Sequence, residues 1–348
     1  MRVTLHIGTA KTGTTSIQHF LHENSALLAE QGCLYPQSLL HPVLSRENRL
    51  CDHNQLAMHL AFELPGAFRA ALQQELAGAR CPHLLISAEM LSLYMDSTAQ
   101  IMRLRQFVRQ LGGNEICVVV WLRESGALFS SLCSEWLRFG HADYTHRLLP
   151  QACPRFRTAL DSRAMLTRWA EVFGRKALKV RLFERECFVG GDLLHDAIDA
   201  FGLKWDERFA VPERSNESLN LLEMELLRII NHLQSGAAYM SGTPKALLFE
   251  VLHRHAGSLD GPQLRFAPPV EIVQAWREWA AEGNEWVRRE FFPERQTLFT
   301  PPRAQEENYE LTQLTPGCWE ALGRIMAELS EENFRLRRAG VQPPPHRP

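Results

Sequence analysis

Short runs of hydrophobic residues recur through the first part of the chain, separated by stretches with apolar residues three or four positions apart. The short runs, typical of buried strands, lie at residues 3–7, 83–87, 115–122 and 177–183. The stretches typical of amphipathic helices include residues 68–79, 98–111 and 156–173, and a further helix is predicted to begin near Asn54. This alternation predicts an α/β fold in which helices cover a parallel sheet.

The pattern changes beyond Pro212. The periodicity there is helical, in four segments at residues 216–233, 244–255, 270–291 and 315–338. We therefore predict a sheet-containing core over residues 1–210 and a helical extension, packed on the core, over residues 211–340. Three consecutive prolines near the C-terminus predict a disordered tail over residues 341–348.

Composition adds limits on function. The chain has 348 residues, of which 45% are apolar and 22% are charged, as in ordinary soluble globular proteins. Its 38 Lys and Arg residues against 40 Asp and Glu residues disfavour a general nucleic-acid binder. The eight cysteines have no metal-ligand spacing, so we expect reduced thiols and no metal site. No apolar run reaches the about 18 residues that cross a bilayer, and we expect a cytoplasmic protein.

The strongest chemical signal follows the first predicted strand, at residues 8–16. Gly8 and Gly13 let the backbone approach a ligand, and Lys11 supplies a positive charge near a helix start. Hydroxyl donors come from Thr12, Thr14, Thr15 and Ser16. This combination predicts a phosphate-binding loop. The Walker A motif places its lysine after the second glycine, whereas Lys11 precedes Gly13, so a standard P-loop kinase is disfavoured.

Residues 11–16, Lys-Thr-Gly-Thr-Thr-Ser, resemble the loop that binds the 5′-phosphosulfate in sulfotransferases that use 3′-phosphoadenosine-5′-phosphosulfate (PAPS). The longer phrase over residues 6–18 resembles a bacterial branch of this family. Similar residues continue to about residue 300, and they are most frequent in the first 140 residues. The resemblance implies a P-loop-like α/β sheet flanked by helices. It also implies that a sulfuryl group moves from PAPS to a hydroxyl acceptor and that 3′-phosphoadenosine-5′-phosphate (PAP) is released.

The resemblance implies further contacts with the nucleotide. Arg123 follows the strongest predicted strand and Ser131 lies about two helical turns later, a spacing similar to the pair that holds the 3′-phosphate of PAPS in the family. Together with residues 11–16 they form the predicted nucleotide site. Arg214 and Asn216 lie in a phrase that resembles a late basic loop, which can close over the nucleotide in the family. Capping of a helix is the favoured role of Asn216.

Sulfuryl transfer needs a group that stabilises charge on the leaving phosphate oxygen and a base for the acceptor hydroxyl. Lys11 is the group predicted to stabilise the charge on the leaving phosphate oxygen. For the second, His53 belongs to a His-Asn-x-Leu-Ala phrase similar to one in the family, and Glu89 follows a predicted strand at the edge where ligands bind. An unperturbed pKa of about 6.5 favours the imidazole as base, with Glu89 orienting the site.

Two other functions stay open. A nucleotide kinase with a divergent loop is one, but the strand at residues 115–122 is followed by Arg123, where a magnesium-dependent enzyme would carry an aspartate. A nucleotide-binding module without catalysis is the other. The sequence does not define the acceptor, since polysaccharides, lipid-linked sugars and small alcohols all offer a hydroxyl.

Overall fold

The structure, a computed structural model of the chain, describes residues 1–40, 51–61, 68–143, 145–212, 219–233, 244–257, 259, 261–301 and 307–338. Within these ranges the strands are β1 (Arg2–His6), β2 (Cys33–Leu34), β3 (His83–Ser87), β4 (Glu115–Leu122) and β5 (Leu178–Leu182). The helices are α1 (Thr14–Glu23), α2 (Ser25–Glu30), α3 (Asn54–Ala61), α4 (Phe68–Ala79), α5 (Met90–Tyr94), α6 (Thr98–Gln110), α7 (Ser125–Arg138), α8 (Pro154–Leu160), α9 (Ser162–Phe173), α10 (Leu193–Phe201), α11 (Leu221–Leu233), α12 (Pro244–Ala256), α13 (Val270–Phe291) and α14 (Pro316–Arg338).

The described strands form one parallel sheet in the order β2-β3-β1-β4-β5. Strand β1 is central, and Leu5 lies level with Ile86 of β3 and Val118 of β4. Apolar clusters cover both faces, so the predicted parallel sheet flanked by helices is confirmed. Burial on both faces explains why β4 is a nearly continuous apolar run.

The two faces of the sheet have separate cores. Leu5 of β1 faces a cluster that includes Trp169 of α9. The opposite face packs Trp121 of β4 against Phe20 of α1 and Phe201 of α10. The helix after β1 and the helix before β5 therefore lie on opposite faces. Connections that diverge in this way leave a crevice at the carboxyl ends of β1 and β4, where ligands bind in folds of this kind.

Two local features differ from the sequence-based expectation. The single helix predicted over residues 156–173 is two helices, because Asp161 caps α9 by accepting a hydrogen bond from the backbone N–H of Ala164 at 2.9 Å. Strand β2 has no predictive pattern, since two residues are too few to show a period. By contrast, β3, β4, α4 and α13 begin and end at the predicted residues.

The chain divides into two compact units that interleave along the sequence. The first unit comprises residues 1–128, 154–216 and 277–302. The second unit comprises residues 129–153, 217–276 and 303–348. The first contains the described sheet, whereas the described regular elements of the second are helices around a core that includes Leu227, Leu252 and Ile325. The predicted core over residues 1–210 and extension over residues 211–340 stay a prediction.

Some of the sequence-based predictions fall outside the described residues. They concern Arg214, Asn216 and the tail at residues 341–348. Among the described helices, none combines the length and the apolar character that spanning a bilayer requires.

Candidate functional site

The loop between β1 and α1 turns through three residues in the left-handed backbone region. Their φ angles are 51° at Gly8, 63° at Lys11 and 74° at Gly13. Among the described residues other than glycine, only Lys11 and Arg80 have a positive φ. Such a conformation costs a side-chain-bearing residue about 1–2 kcal/mol. Neighbouring groups must therefore stabilise the conformation of Lys11.

The two glycines of this loop are required by close packing as well as by φ. A Cβ atom at Gly13 would lie 2.3 Å from Cδ2 of Leu193, on the helix α10 that packs beside α1. At Gly8 it would lie 2.7 Å from Cγ2 of Thr14 and 3.0 Å from Cα of Glu89. Real Cβ atoms essentially never show contacts of 2.3 or 2.7 Å, so an alanine at either position must displace its neighbours. The loop therefore lies directly against the segment that follows β3.

The carboxyl end of β4 contacts the same loop through two hydrogen bonds. The hydroxyl of Thr9 donates to the carbonyl oxygen of Trp121 at 2.6 Å. The guanidinium Nη1 of Arg123 donates to the carbonyl oxygen of Lys11 at 2.7 Å. Arg123 is half-buried, and burial lowers its pKa from the ordinary value, although an arginine keeps its charge at physiological pH. The structure thus brings the backbone of Lys11 and the guanidinium of Arg123 together. Their contact with an anion stays a prediction.

The predicted hydroxyl donors differ in their surroundings. Thr12 is buried, and its hydroxyl donates to the carbonyl oxygen of Thr9 at 2.8 Å, inside the loop. Thr15 is exposed and Ser16 is half-buried. Thr12 therefore shapes the loop, whereas Thr15 and Ser16 lie where a ligand at the helix start could reach their side chains.

Helix α1 begins at Thr14 with Gly13 as its N-cap, and no side chain caps this end. The N–H groups of the first turn of such a helix attract an anion. The hydroxyl of Thr14 donates to Oε2 of Glu89, a half-buried residue that directly precedes α5. A carboxylate therefore lies at the start of the phosphate-loop helix.

His53 is fully buried and hydrogen-bonded at both ring nitrogens. Its Nδ1 accepts the backbone N–H of Ser87 at 3.1 Å, so its Nε2 carries the proton and donates to the carbonyl oxygen of Pro36 at 3.0 Å. Burial lowers the pKa of His53 to about 3. The imidazole is therefore neutral, in one tautomer, and it fixes the end of β3. The predicted role of His53 as the base stays a prediction. To act as a base, the ring would have to break one of these two hydrogen bonds.

Ser87 lies between two buried histidines. The hydroxyl of Ser87 shares a 2.8 Å hydrogen bond with Nδ1 of His6, whose ring packs edge-on to Trp121 at 5.2 Å. Burial lowers the pKa of His6 to about 3. The sequence analysis missed His6 because strand alternation alone assigns it a face and not a partner. The available signal was a histidine and a serine that each end a predicted strand, and the structure pairs them in register.

Phe183 is a second residue that the sequence analysis missed. Its ring centroid lies 5.5 Å from the guanidinium carbon of Arg123, and its Cε2 would lie 3.4 Å from a Cβ atom at Gly13. An aromatic residue placed directly after β5, at the same edge of the sheet as Arg123, was the available signal. Ser131 is buried in α7 and belongs to the second unit, whereas Arg123 belongs to the first. The pairing of these two residues stays a prediction.

No family model matches the sequence, and a search of curated proteins finds no match. Two solved structures are similar to the chain. A sulfotransferase from Alicyclobacillus acidocaldarius has a TM-score of 0.35 and 16% identity, over 67% of this chain and 96% of that one. The sulfotransferase domain of the olefin synthase from Synechococcus PCC 7002 has a TM-score of 0.34 and 14% identity, over 80% of this chain and 94% of that one. Likenesses this distant do not establish a family or an activity.

Proposed function

We propose that this protein is a PAPS-dependent sulfotransferase, which moves a sulfuryl group from PAPS to a hydroxyl acceptor and releases PAP. One observation carries the proposal. The loop that contains Lys11 is bonded to Arg123 at 2.7 Å, and the carboxylate of Glu89 accepts the hydroxyl of the first residue of α1. The backbone of the Lys11 loop, the guanidinium of Arg123 and the carboxylate of Glu89 therefore meet at the switch point of a parallel sheet. Sulfuryl transfer uses this combination of charges.

The loop would hold the 5′ end of the nucleotide. The N–H groups at the start of α1 and the ammonium of Lys11 would contact the phosphosulfate, with Thr15 and Ser16 adding hydroxyl donors. As the sulfuryl group leaves, negative charge grows on the 5′-phosphate oxygen. Donors that are already oriented stabilise that charge without reorganisation. Arg123 and, in the resemblance, Ser131 would bind the 3′-phosphate at the other end of the nucleotide.

We propose Glu89 as the base that takes the proton of the acceptor hydroxyl during in-line transfer. Its carboxylate is half-buried and is held beside the loop by Thr14, whereas the ring of His53 is fully buried and engaged at both nitrogens. These contacts favour a positioning role for His53, which holds the strand end before Glu89. The burial of His53 and its pKa of about 3 count against the role that the unperturbed pKa favoured.

The test is calorimetric titration of the protein with PAP and with AMP, which lacks the 3′-phosphate. PAP is expected to bind at least about tenfold more tightly, since a charge-assisted contact contributes about 1.5–3 kcal/mol. Arg123→Ala should remove that preference. Arg105→Ala is the matched control, because Arg105 also donates to a backbone carbonyl, that of Val172 at 3.0 Å. Equal affinity of the wild-type protein for PAP and AMP would overturn the assignment.

The rival functions have their own outcomes in the same experiment. Tighter binding of ATP with magnesium than of PAP would favour a kinase. Tight PAP binding without turnover of PAPS, in the presence of a broad set of acceptors, would favour a nucleotide-binding module. The acceptors to screen with labelled PAPS are polysaccharides, lipid-linked sugars and small alcohols, of which we expect a carbohydrate or a lipid-linked sugar to react.

A further inference from the structure

The backbone of the phosphate loop takes its unusual shape at Lys11. With φ at 63°, Lys11 turns its carbonyl oxygen toward the end of β4, where Nη1 of Arg123 donates to it at 2.7 Å. A partly buried carbonyl without a donor is unfavourable, and so is the left-handed conformation of a lysine. One hydrogen bond therefore stabilises both features of the loop.

Arg123 is itself held by an aromatic ring. The guanidinium carbon lies 5.5 Å from the centroid of Phe183, a distance that allows a cation–π interaction. The backbone N–H of Phe183 donates to the carbonyl oxygen of Leu122 at 2.7 Å. Phe183 is therefore hydrogen-bonded to the residue that directly precedes Arg123. The same ring borders Gly13, where a Cβ atom would lie 3.4 Å from Cε2. Phe183 thus contacts Arg123 and lies next to the loop that Arg123 binds.

We infer that Arg123, seated on Phe183, holds the Lys11 loop in its anion-binding shape before a nucleotide arrives, and that Phe183 is a positioning residue of the site. Arg123 then has two roles, one toward the 3′-phosphate and one toward the loop that binds the 5′ end. The inference rests on the proposed function for the identity of the ligand. It predicts that Arg123 contributes to the binding of nucleotides that have no 3′-phosphate.

The first measurement is the affinity for AMP. Arg123→Ala should weaken AMP binding about tenfold, because the loop loses its preformed shape, and should weaken PAP binding further because the 3′-phosphate contact is also lost. Phe183→Leu keeps the apolar bulk but removes the aromatic face. It should weaken AMP and PAP by one common factor of about three to ten. Phe183→Tyr keeps the ring and should restore both affinities.

The second measurement needs no ligand. Hydrogen exchange of the backbone amides of residues 8–13 should be about three- to tenfold faster in Arg123→Ala and in Phe183→Leu than in the wild-type protein. Phe188→Leu is the matched control, because the ring of Phe188 contacts that of Phe183 at 5.5 Å from the neighbouring segment. That variant should exchange and bind like the wild-type protein.

Several outcomes overturn the inference. Arg123→Ala with unchanged AMP affinity and unchanged exchange means that Arg123 serves the 3′-phosphate alone. Phe188→Leu with the same losses as Phe183→Leu means a general effect of the aromatic cluster. A wild-type protein that binds neither PAP nor AMP defeats the proposed function, and the exchange rates then still decide whether Arg123 and Phe183 hold the loop.

Discussion

The segments after β1 and after β3 meet at the hydrogen bond between Thr14 and Glu89, but they are stabilised in different ways. The loop after β1 depends on backbone conformation, on two glycines and on donors from the end of β4. The segment after β3 depends on buried neutral side chains, since His53 and His6 both bond to Ser87. We therefore expect changes in the first segment to alter nucleotide binding, and changes in the second to alter catalysis and the pH dependence of stability.

The largest expected effect comes from the carboxylate that joins the two segments. Glu89→Gln keeps an acceptor for the hydroxyl of Thr14 but removes the proposed base. It should lower kcat about a hundredfold to ten-thousandfold and leave the Kd for PAP within about threefold, because general-base catalysis contributes on that scale. The measurement is PAPS turnover with an acceptor found in the screen, together with calorimetry with PAP.

The control for this experiment is Glu75→Gln, since Glu75 accepts the backbone N–H groups of Gln37 and Ser38 and takes no part in the site. Its kcat should equal that of the wild-type protein. If Glu89→Gln keeps most of its turnover while a folded, PAP-binding His53→Ala loses it, the base is His53. The catalytic base would then be a buried side chain that contacts Ser87, and not the carboxylate that contacts Thr14.

The same contrast explains what the sequence could predict. The loop between β1 and α1 was predicted because its signal is local: glycines, a lysine and hydroxyls within nine residues, between a strand and a helix. Its binding of phosphate stays a prediction. The end of β4 with Arg123 was predicted for the same reason. The hydrogen bond between Thr14 and Glu89 could not be predicted. It depends on the parallel alignment of β1 and β3, which periodicity does not specify.

The environment of His53 could not be predicted, because its partners come from elsewhere in the chain. Ser87 is 34 residues away and Pro36 is 17 residues away, and the two contacts together decide its tautomer, its burial and its charge. A polar phrase before a helix is equally compatible with an exposed histidine. The interleaved units are a similar case, since residues 277–302 join the sheet unit through tertiary contacts after a long helical stretch.

The second prediction tests the close packing of the phosphate loop. Gly13→Ala and Gly190→Ala both place alanine in the left-handed region, at a cost of about 1–2 kcal/mol, but a Cβ atom at Gly190 has nothing within 4 Å. Gly13→Ala additionally displaces Leu193, at about 1–3 kcal/mol. Denaturant unfolding should show the larger loss for Gly13→Ala, and PAP affinity should fall in that variant alone.

A double-mutant cycle sharpens this prediction. In a Leu193→Ala background the steric conflict is removed, so Gly13→Ala should cost no more than Gly190→Ala does. An undiminished cost in that background would mean that φ, and not the packing against α10, makes Gly13 necessary.

The third prediction concerns stability against pH. The pKa of His53 is about 3 in the folded protein and about 6.5 in the unfolded chain, so between these pH values the unfolded chain binds one more proton. The free energy of unfolding should therefore fall as the pH falls below about 6.5, by up to about 1.4 kcal/mol per pH unit from this residue. His53→Gln can accept from Ser87 and donate to Pro36, and it should show a shallower decline between pH 6.5 and 5.

The control is His232→Gln, because His232 is exposed in α11 and its replacement should leave the decline as steep as in the wild-type protein. The buried His6, with its pKa of about 3, is present in both variants and contributes a residual slope. Parallel curves for the wild-type protein and His53→Gln would show that His53 is protonated to the same extent in both states, contrary to the burial described above.

The smallest expected effect is that of magnesium removal, which should leave turnover unchanged. The proposed chemistry stabilises the leaving phosphate oxygen with Lys11 and the N–H groups at the start of α1, and these donors are part of the chain. Arg123 follows β4 at the position where a magnesium-dependent phosphoryl-transfer enzyme places a carboxylate, and a divalent cation beside Lys11 and Arg123 would meet repulsion. Turnover of PAPS should be measured after dialysis against EDTA, with and without added magnesium. Activity that is lost on chelation and returns only with magnesium would mean that Lys11 and the N–H groups of α1 do not suffice to stabilise the leaving phosphate oxygen, contrary to the proposed mechanism.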